Sequence, residues 1–410
     1  MTPVFSTLKE RGYIAQSTDE QAVEKLLDGE KPIRFYIGFD PTADSLHVGS
    51  FIPIMVMMRL QKAGHLPIAL VGVGTTMAGD PSGRTDLREM MSLEQISANG
   101  EKIKAQLSKF LDFGEGKAIM VNNADWLLGL KYVDFLREVG VHFSVNRMLT
   151  ADCYKARMEK GLSFIEFNYM LMQSYDFLEL YQKYGCVLQL GGDDQWSNII
   201  SGADLIRRKL GKEAHALTHC LLTTSDGVKM GKTRGGAIWI DPEKTPPFEF
   251  YQYFRNVRDD EVINCLKLLT DMPMAKIAEY QALEGAAVNE AKKALAYETT
   301  KLIHGEAEAD KCSALAEGLF EGGGAGAGAL ASTAIGAADA EAGVNIVDLL
   351  VACGLAPSKS EARRLVAQGG IIAGGAKIAS ASHVVRSADF AGGELILQKG
   401  KKTYHKVTIK

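Results

Sequence analysis

The chain has 410 residues, of which 46% are hydrophobic and 23% charged, with a formal net charge of −4. That is the profile of a globular protein long enough for two or three domains. No apolar run reaches the roughly 18 residues of a membrane helix, and Met1–Arg11 lacks the apolar core of a signal peptide. The six cysteines (Cys153, Cys186, Cys220, Cys265, Cys312, Cys353) include no Cys-x-x-Cys pair, which argues against structural zinc and for a reducing compartment.

Ile33 to Phe39 is apolar apart from Arg34 and predicts a strand in a covered sheet. Asp40-Pro41-Thr42-Ala43-Asp44-Ser45 is turn chemistry, and Phe51 to Leu60 reads as a buried helix. His47 and Gly49 then fall near a helix N-terminus, where free N–H groups and the helix dipole favour phosphate. Gly49, without a Cβ, would let a flat ligand lie on the backbone. An ordinary capped strand-to-helix turn is the plain alternative. Pro67–Val73, Ala118–Val121 and Val187–Leu190 predict further strands, and Leu93–Leu111 and Phe164–Tyr184 predict helices. This alternation predicts an α/β fold with a parallel sheet covered on both faces, with ligands bound outside the carboxyl ends of its strands.

On the Phe164–Tyr184 helix, Tyr169, Gln173 and Asp176 are spaced i, i+4 and i+7 and share a face. Phe167, Met170, Leu171 and Phe177 make much of the rest apolar. A polar stripe on a buried helix costs free energy unless satisfied, so it predicts either an internal hydrogen-bond network or a pocket for a small polar ligand. Lys229-Met-Gly-Lys-Thr233 follows a Ser225-Asp-Gly227 turn. Two lysines in a glycine-rich loop suit a triphosphate.

From about 247 to 320 the pattern is helical, with Pro247 opening one helix and Asn289–His304 forming another. Glu321 to Leu330 is a Gly/Ala run expected to be flexible. Beyond it, Ile346–Leu355 predicts a short helix ended by Gly354, and Ser358–Gly370 a second with Ser358 or Ser360 as N-cap. Short strands follow. Residues 344–410 hold ten Lys/Arg against four Asp/Glu, a balance of +6 that leaves −10 for the rest. A basic module carrying Lys359, Arg363 and Arg364 suits a phosphate backbone.

Together, the His47 and Lys229 motifs resemble the signature of class I aminoacyl-tRNA synthetases. Tyr36-x-Gly-Phe-Asp-Pro-Thr-Ala-Asp-Ser-Leu-His47, Gly79-Asp-Pro-Ser-Gly83, Gln189-Leu-Gly-Gly-Asp-Asp-Gln-Trp196 and Lys229-x-Gly-Lys-Thr233 narrow the resemblance to bacterial-type tyrosyl-tRNA synthetases, over essentially the whole chain. It implies a Rossmann-like catalytic domain (1–220), a loop and linker (221–246), a helical anticodon-binding domain (247–320), a flexible linker (321–343) and a small α+β ribosomal-protein-type RNA-binding domain (344–410).

It also implies site residues. Tyr36 and Asp176 would bond the phenol hydroxyl of tyrosine, Asp80, Tyr169 and Gln173 its ammonium, and Gln195 would approach its carboxylate. Asp40, Thr42, His47, Gly49, Ser50, Gly192, Asp194 and Thr233 would surround ATP, with Asp194 on the ribose and Thr42 and His47 on the γ-phosphate. Arg84, Arg88, Lys229 and Lys232 would hold the leaving pyrophosphate. Magnesium would accompany ATP, and tRNA(Tyr) would be the third substrate of a cytoplasmic homodimer, its interface around residues 125 to 160. Three positions depart from the family pattern: Ser50 replaces a histidine, Arg84 a lysine, and Asp193 a small residue, adding charge near the nucleotide. A small adenylyltransferase, a non-catalytic RNA-binding derivative and a tryptophan-specific relative are the competing readings.

Overall fold

The computed structural model describes residues 3–82, 90–233, 236–320, 332–400 and 403–410. The chain divides into two compact units. The first comprises Met1–Ile240 and Asn264–Met274, the second Asp241–Ile263 and Ala275–Lys410.

The first unit is built on a six-stranded sheet: β1 (Ile14–Ser17), β2 (Arg34–Phe39), β3 (Leu66–Val71), β4 (Ile119–Asn122), β5 (Cys186–Gly192) and β6 (His215–His219), in the order β1-β6-β5-β2-β3-β4. β2 lies at its centre, parallel to β3 and β5, and Phe35, Tyr36 and Ile37 are almost fully buried. The expected parallel sheet is present from β6 to β4. β1, which pairs antiparallel with β6 at the edge, and β6 itself were not anticipated. Ile14-Ala-Gln-Ser is half polar and His215-Ala-Leu-Thr-His carries two histidines, so neither shows an apolar run, and pairing with neighbours makes them strands.

Several expected boundaries shift. The strand after Pro67 ends at Val71, and Val73 already begins a helix, Val73–Ala78. The helix from Leu93 ends at Leu107. The segment Phe164–Tyr184 is two helices, Phe164–Phe167 and Tyr169–Tyr184, the first opened by a Ser163/Glu166 capping box. Gly185 closes the second in the left-handed region, at φ 66°.

Helix Phe51–Lys62 buries Phe51, Ile52, Ile54, Met55, Val56, Met57 and Leu60, each worth about 1.5–3 kcal/mol against exposure. It places the strand-to-helix turn before it on a rigid base. Arg59 from this helix bonds Asp271 at 2.9 Å and the Thr270 carbonyl at 2.6 Å, and Arg11 donates to that carbonyl at 3.0 Å. These bonds satisfy the end of the returning segment within the unit.

In the second unit, helices Pro247–Arg255, Val288–His304 and Glu306–Phe320 pack together, with the Phe250 ring edge-on to His304 and Phe254. The tail supplies strands Ser332–Ile335, Ile371–Ala373, Ala376–Lys377, Glu394–Lys399 and Thr403–Ile409, which form a five-stranded sheet. Helices Ile346–Ala352 and Lys359–Ala367 share a core with it through Leu349, Leu350, Ala362, Val366, Leu397 and Val407. Ser358 is the N-cap of the second helix, accepting from Glu361 N. Gly354 follows the first at φ 68°, as its sequence position suggested. The Gly/Ala run 321–330 lies outside the described residues.

Candidate active site

A cleft of about 660 Å³ opens in the first unit, lined by residues at the ends of β2, β5 and β6 and by the helix Tyr169–Tyr184. Strand ends of a parallel sheet present free backbone groups and loop side chains there, which suits ligand binding.

Its floor is polar and incompletely satisfied. Asp176 is 2% exposed; its Oδ1 accepts from Trp126 Nε1 at 2.7 Å and its Oδ2 from Asn123 Nδ2 at 3.0 Å. Burial outweighs these two donors and pushes its pKa up to about 8. The Tyr36 hydroxyl is buried with no hydrogen-bond partner among the described residues. Its pKa is raised by burial and then by the Asp176 charge. The Gln173 and Gln189 side-chain oxygens are likewise buried and unpartnered among the described residues. Buried polar groups are normally paired, so this group of orphans marks space for a polar ligand.

Asp80 lies higher in the cleft. It accepts from Ser82 N at 2.9 Å and Gln195 Nε2 at 2.6 Å, and burial pushes its pKa up to about 6. Gln195 is in turn held by Asn198, 3.2 Å from its Oε1. Tyr169 donates to Asp40 Oδ2 at 2.8 Å. Asp40 Oδ1 accepts from Thr75, whose hydroxyl accepts from Asn123 at 3.0 Å. One network therefore joins Asp176 at the floor to Asp40 at the mouth.

The two glycine-rich motifs meet at that mouth. Val48 N donates to the Ile238 carbonyl at 2.9 Å, Ile238 N to the Gly231 carbonyl at 2.8 Å, and His47 pairs with Trp239 as an isolated antiparallel bridge. Gly231 has φ 84°, and a Cβ there would lie 2.9 Å from Val48 Cβ, so only glycine lets the loop sit against the turn. The backbone hairpin of β7 (Lys232–Thr233) and β8 (Gly236–Ala237) completes the loop. Lys229 Nζ pairs with Asp194 Oδ2 at 2.8 Å.

His47 Nδ1 accepts from Gly49 N at 2.9 Å, which puts the proton of the neutral ring on Nε2. A Cβ on Gly49 would meet His47 Cε1 at 2.6 Å. In this structure the His47 ring occupies the place a Gly49 Cβ would take, so a flat ligand reaches that backbone only once the ring turns aside.

Asp40, Thr42, His47, Gly49, Ser50, Gly192, Asp194 and Lys229 all line the cleft, as do Tyr36, Asp80, Tyr169, Gln173, Asp176 and Gln195. Arg84, Arg88 and the side chains of Lys232 and Thr233 lie outside the described residues. Asp193 is not among the residues lining the cleft; its carboxylate accepts from Thr218 on β6 at 2.8 Å and Gln16 on β1 at 2.7 Å, and its charge still acts on His219, which does line it.

Thr75, Asn123, Trp126 and His219 escaped the sequence reading, and Gln189 entered it only as part of a motif. Asn123 directly follows β4, so the rule that ligands bind beyond strand ends could have flagged it. In the tail, Lys359 pairs with Asp348 at 2.6 Å and Arg364 with Glu361 at 2.7 Å, while Arg363 is exposed.

Residues 28–321 match the family described as tRNA synthetases class I (W and Y), and residues 331–407 the Tyrosine--tRNA ligase SYY-like C-terminal domain. The chain is 61% identical to the tyrosine--tRNA ligase of Acetivibrio thermocellus and 57% identical to that of Clostridium botulinum, covering 100% of both partners in each case. Among solved structures it resembles a C-terminally truncated mitochondrial tyrosyl-tRNA synthetase of Aspergillus nidulans, at TM-score 0.69 and 32% identity, over 78% of this chain and 95% of that one.

Proposed function

The chain belongs to the class I tRNA synthetases of the tryptophan and tyrosine branch, and from that membership and the cleft geometry we infer that it ligates L-tyrosine to tRNA(Tyr), with ATP as the energy source. The observation that carries tyrosine as the amino acid is the unpartnered Tyr36 hydroxyl beside Asp176 at the cleft floor. A phenol hydroxyl entering there satisfies both groups. Phenylalanine would strand them, a rule for which tyrosine-specific synthetases are themselves the standard case. Tryptophan offers an indole N–H in place of a hydroxyl, and fits less well a floor whose Asp176 already accepts one indole donor from Trp126.

In this reading Asp80, Tyr169 and Gln173 hold the ammonium group, whose charge keeps Asp80 ionised. Gln195 approaches the carboxylate. Asp40, Thr42, His47, Gly49, Ser50, Gly192, Asp194 and Thr233 surround ATP, with Thr42 and His47 on the γ-phosphate. Asp194 takes the ribose only after Lys229 leaves it, so nucleotide entry frees that lysine to join Lys232, Arg84 and Arg88 around the pyrophosphate.

The tyrosine carboxylate oxygen attacks the α-phosphorus, and the bond to the bridging oxygen of pyrophosphate breaks. The tRNA terminal ribose hydroxyl then attacks the tyrosyl carbonyl carbon, and AMP departs. No protein nucleophile is needed: the enzyme contributes alignment and cations placed where charge develops. Among the described residues no three His, Cys, Asp or Glu side chains gather as a cation site; magnesium would arrive with the ATP phosphates and offset their charge.

Tyr132, Val133, Val141 and Val145 are 56–70% exposed, and an apolar patch of this kind supports a homodimer interface in the segment 125–160. Lys359, Arg363 and Arg364 would contact the tRNA backbone. Among the described residues no helix is long and apolar enough to cross a membrane; tRNA charging would place the enzyme in the cytoplasm.

Amino-acid-dependent exchange of pyrophosphate into ATP tests the reading. Exchange with tyrosine, and little with phenylalanine or tryptophan, is expected. Exchange with tryptophan alone would overturn the specificity, and exchange with none of the three would overturn the activity.

A further inference from the structure

Gln189 and His219 are buried polar side chains of the cleft with no role in the scheme above. His219 ends β6, is 5% exposed and lines the cleft together with Gly192, Asp194 and Leu221. Its Nδ1 lies 3.1 Å from the Cys220 carbonyl oxygen. A carbonyl can only accept, so Nδ1 carries the ring proton. Nε2 is then a lone-pair acceptor, buried and without a partner among the described residues.

Burial lowers the pKa of this imidazole, while the Cys220 carbonyl and the charges of Asp194 and Asp193 oppose it more weakly. The neutral ring is therefore the form in the folded protein. The sheet register shows what lies beside it. β5 and β6 are parallel, with Gly192 directly opposite His219. A Cβ on Gly192 would meet Asp194 Oδ1 at 2.8 Å and Leu221 Cδ2 at 2.9 Å. Gly192 therefore stands between His219, its partner across the sheet, and Asp194, the carboxylate assigned to the ribose, and all three line the cleft.

We propose that His219 is a nucleoside-recognising residue, its Nε2 accepting a hydrogen bond from the ribose–adenine part of ATP. Two kinds of donor exist there, the ribose hydroxyls and the adenine 6-amino group, and both present the hydrogen that Nε2 lacks. A buried acceptor of this kind discriminates by the loss incurred when its donor is missing. The proposal rests on the reading of this cleft as the ATP site.

The test compares wild type, His219→Leu and His219→Gln in tyrosine-dependent pyrophosphate exchange. Leucine keeps bulk and removes the acceptor, while glutamine returns a carbonyl oxygen near the Nε2 position. Each enzyme is assayed with ATP, 2′-deoxyATP, 3′-deoxyATP and purine riboside triphosphate, which lacks the 6-amino group. His219→Leu is expected to raise KM for ATP about five- to tenfold, the worth of one neutral hydrogen bond, with KM for tyrosine unchanged. His219→Gln should recover part of the loss. One analogue should be handled alike by wild type and His219→Leu, because it lacks the donor that Nε2 bonds, and it identifies that donor.

An unchanged KM for ATP in His219→Leu would overturn the proposal and leave Nε2 to a buried water. So would equal rises in KM for ATP and tyrosine, which indicate a packing role, or all analogues losing the same factor in both enzymes. Absence of exchange in the wild type would bring down the ATP-site reading together with this proposal. Wild-type exchange with His219→Leu unaltered would bring down only this proposal.

Discussion

Asp176→Asn should weaken the enzyme and strengthen the fold, to an extent that depends on pH. The carboxyl is 2% exposed and its pKa rises from an ordinary 3.8 to about 8 on folding. Between these values the folded protein holds a proton that the unfolded chain has released, so stability falls as pH rises through that window, by up to about 1.4 kcal/mol per unit. The accumulated cost is about 4 kcal/mol at pH 7 and between 1 and 2 kcal/mol at pH 5 by the same relation. An asparagine here removes that cost and adds another. Trp126 and Asn123 both donate to the carboxyl, and Asn123 cannot simply turn its amide because its Oδ1 holds Gly74 N at 2.7 Å. One donor then faces an amide N–H, a loss of about 1–2 kcal/mol.

The net expectation is a gain of about 2 kcal/mol at pH 7 and about none at pH 5. In a unit of this size that is about 4–8 °C in the calorimetric transition at pH 7. Over the same range kcat/KM for tyrosine should fall by about ten- to a hundredfold, the cost of leaving a buried polar group unsatisfied, with ATP binding kept. A stability difference equal at pH 5 and pH 7 would show that Asp176 ionises normally in the folded protein, and the argument from burial would fail.

Gly49→Ala should push the His47 ring off its seat, because the new Cβ would lie 2.6 Å from Cε1; kcat/KM for ATP should drop about tenfold or more while KM for tyrosine holds, as measured by pyrophosphate exchange. Lys232→Ala should slow adenylate formation in single-turnover kinetics while tyrosine still binds, and loss of tyrosine binding would disprove the loop's role. Removing residues after 343 should spare pyrophosphate exchange and weaken aminoacylation of tRNA, with the remaining charging less dependent on salt because phosphate contacts are gone. Ser50→His, which supplies the second histidine of the motif this turn resembles, should lower KM for ATP in exchange assays; an unchanged KM would mean that Ser50 makes no nucleotide contact.

Local patterns made much of the first unit readable. Apolar runs mark β2, β3, β4 and β5, and the three-residue stripe of Tyr169, Gln173 and Asp176 announces a polar face on a buried helix. Capping chemistry was legible too: Ser358 caps its helix, and Gly354 stands at positive φ just past its own. The edge strand β1 and the internal strand β6 were not legible, because their residues are polar enough to be loop and only pairing with neighbouring strands makes them sheet.

The sequence by itself determined the parts list: a turn built on His47 and Gly49, a lysine loop, a polar helix face and a basic tail. Each depends on residue types at short spacing, which chain chemistry sets directly. Which groups meet was decided only by the tertiary structure. The two motifs lie about 180 residues apart in the chain, and they touch because Gly231 has no side chain to keep Val48 away. Asp193 and Asp194 are adjacent in sequence, yet one accepts from β1 and β6 and the other lines the cleft. The orphaned atoms of Tyr36, Gln189 and His219 belong in the same class. Whether a polar group is satisfied depends on every neighbour around it, and those neighbours come from strands and helices far apart along the chain.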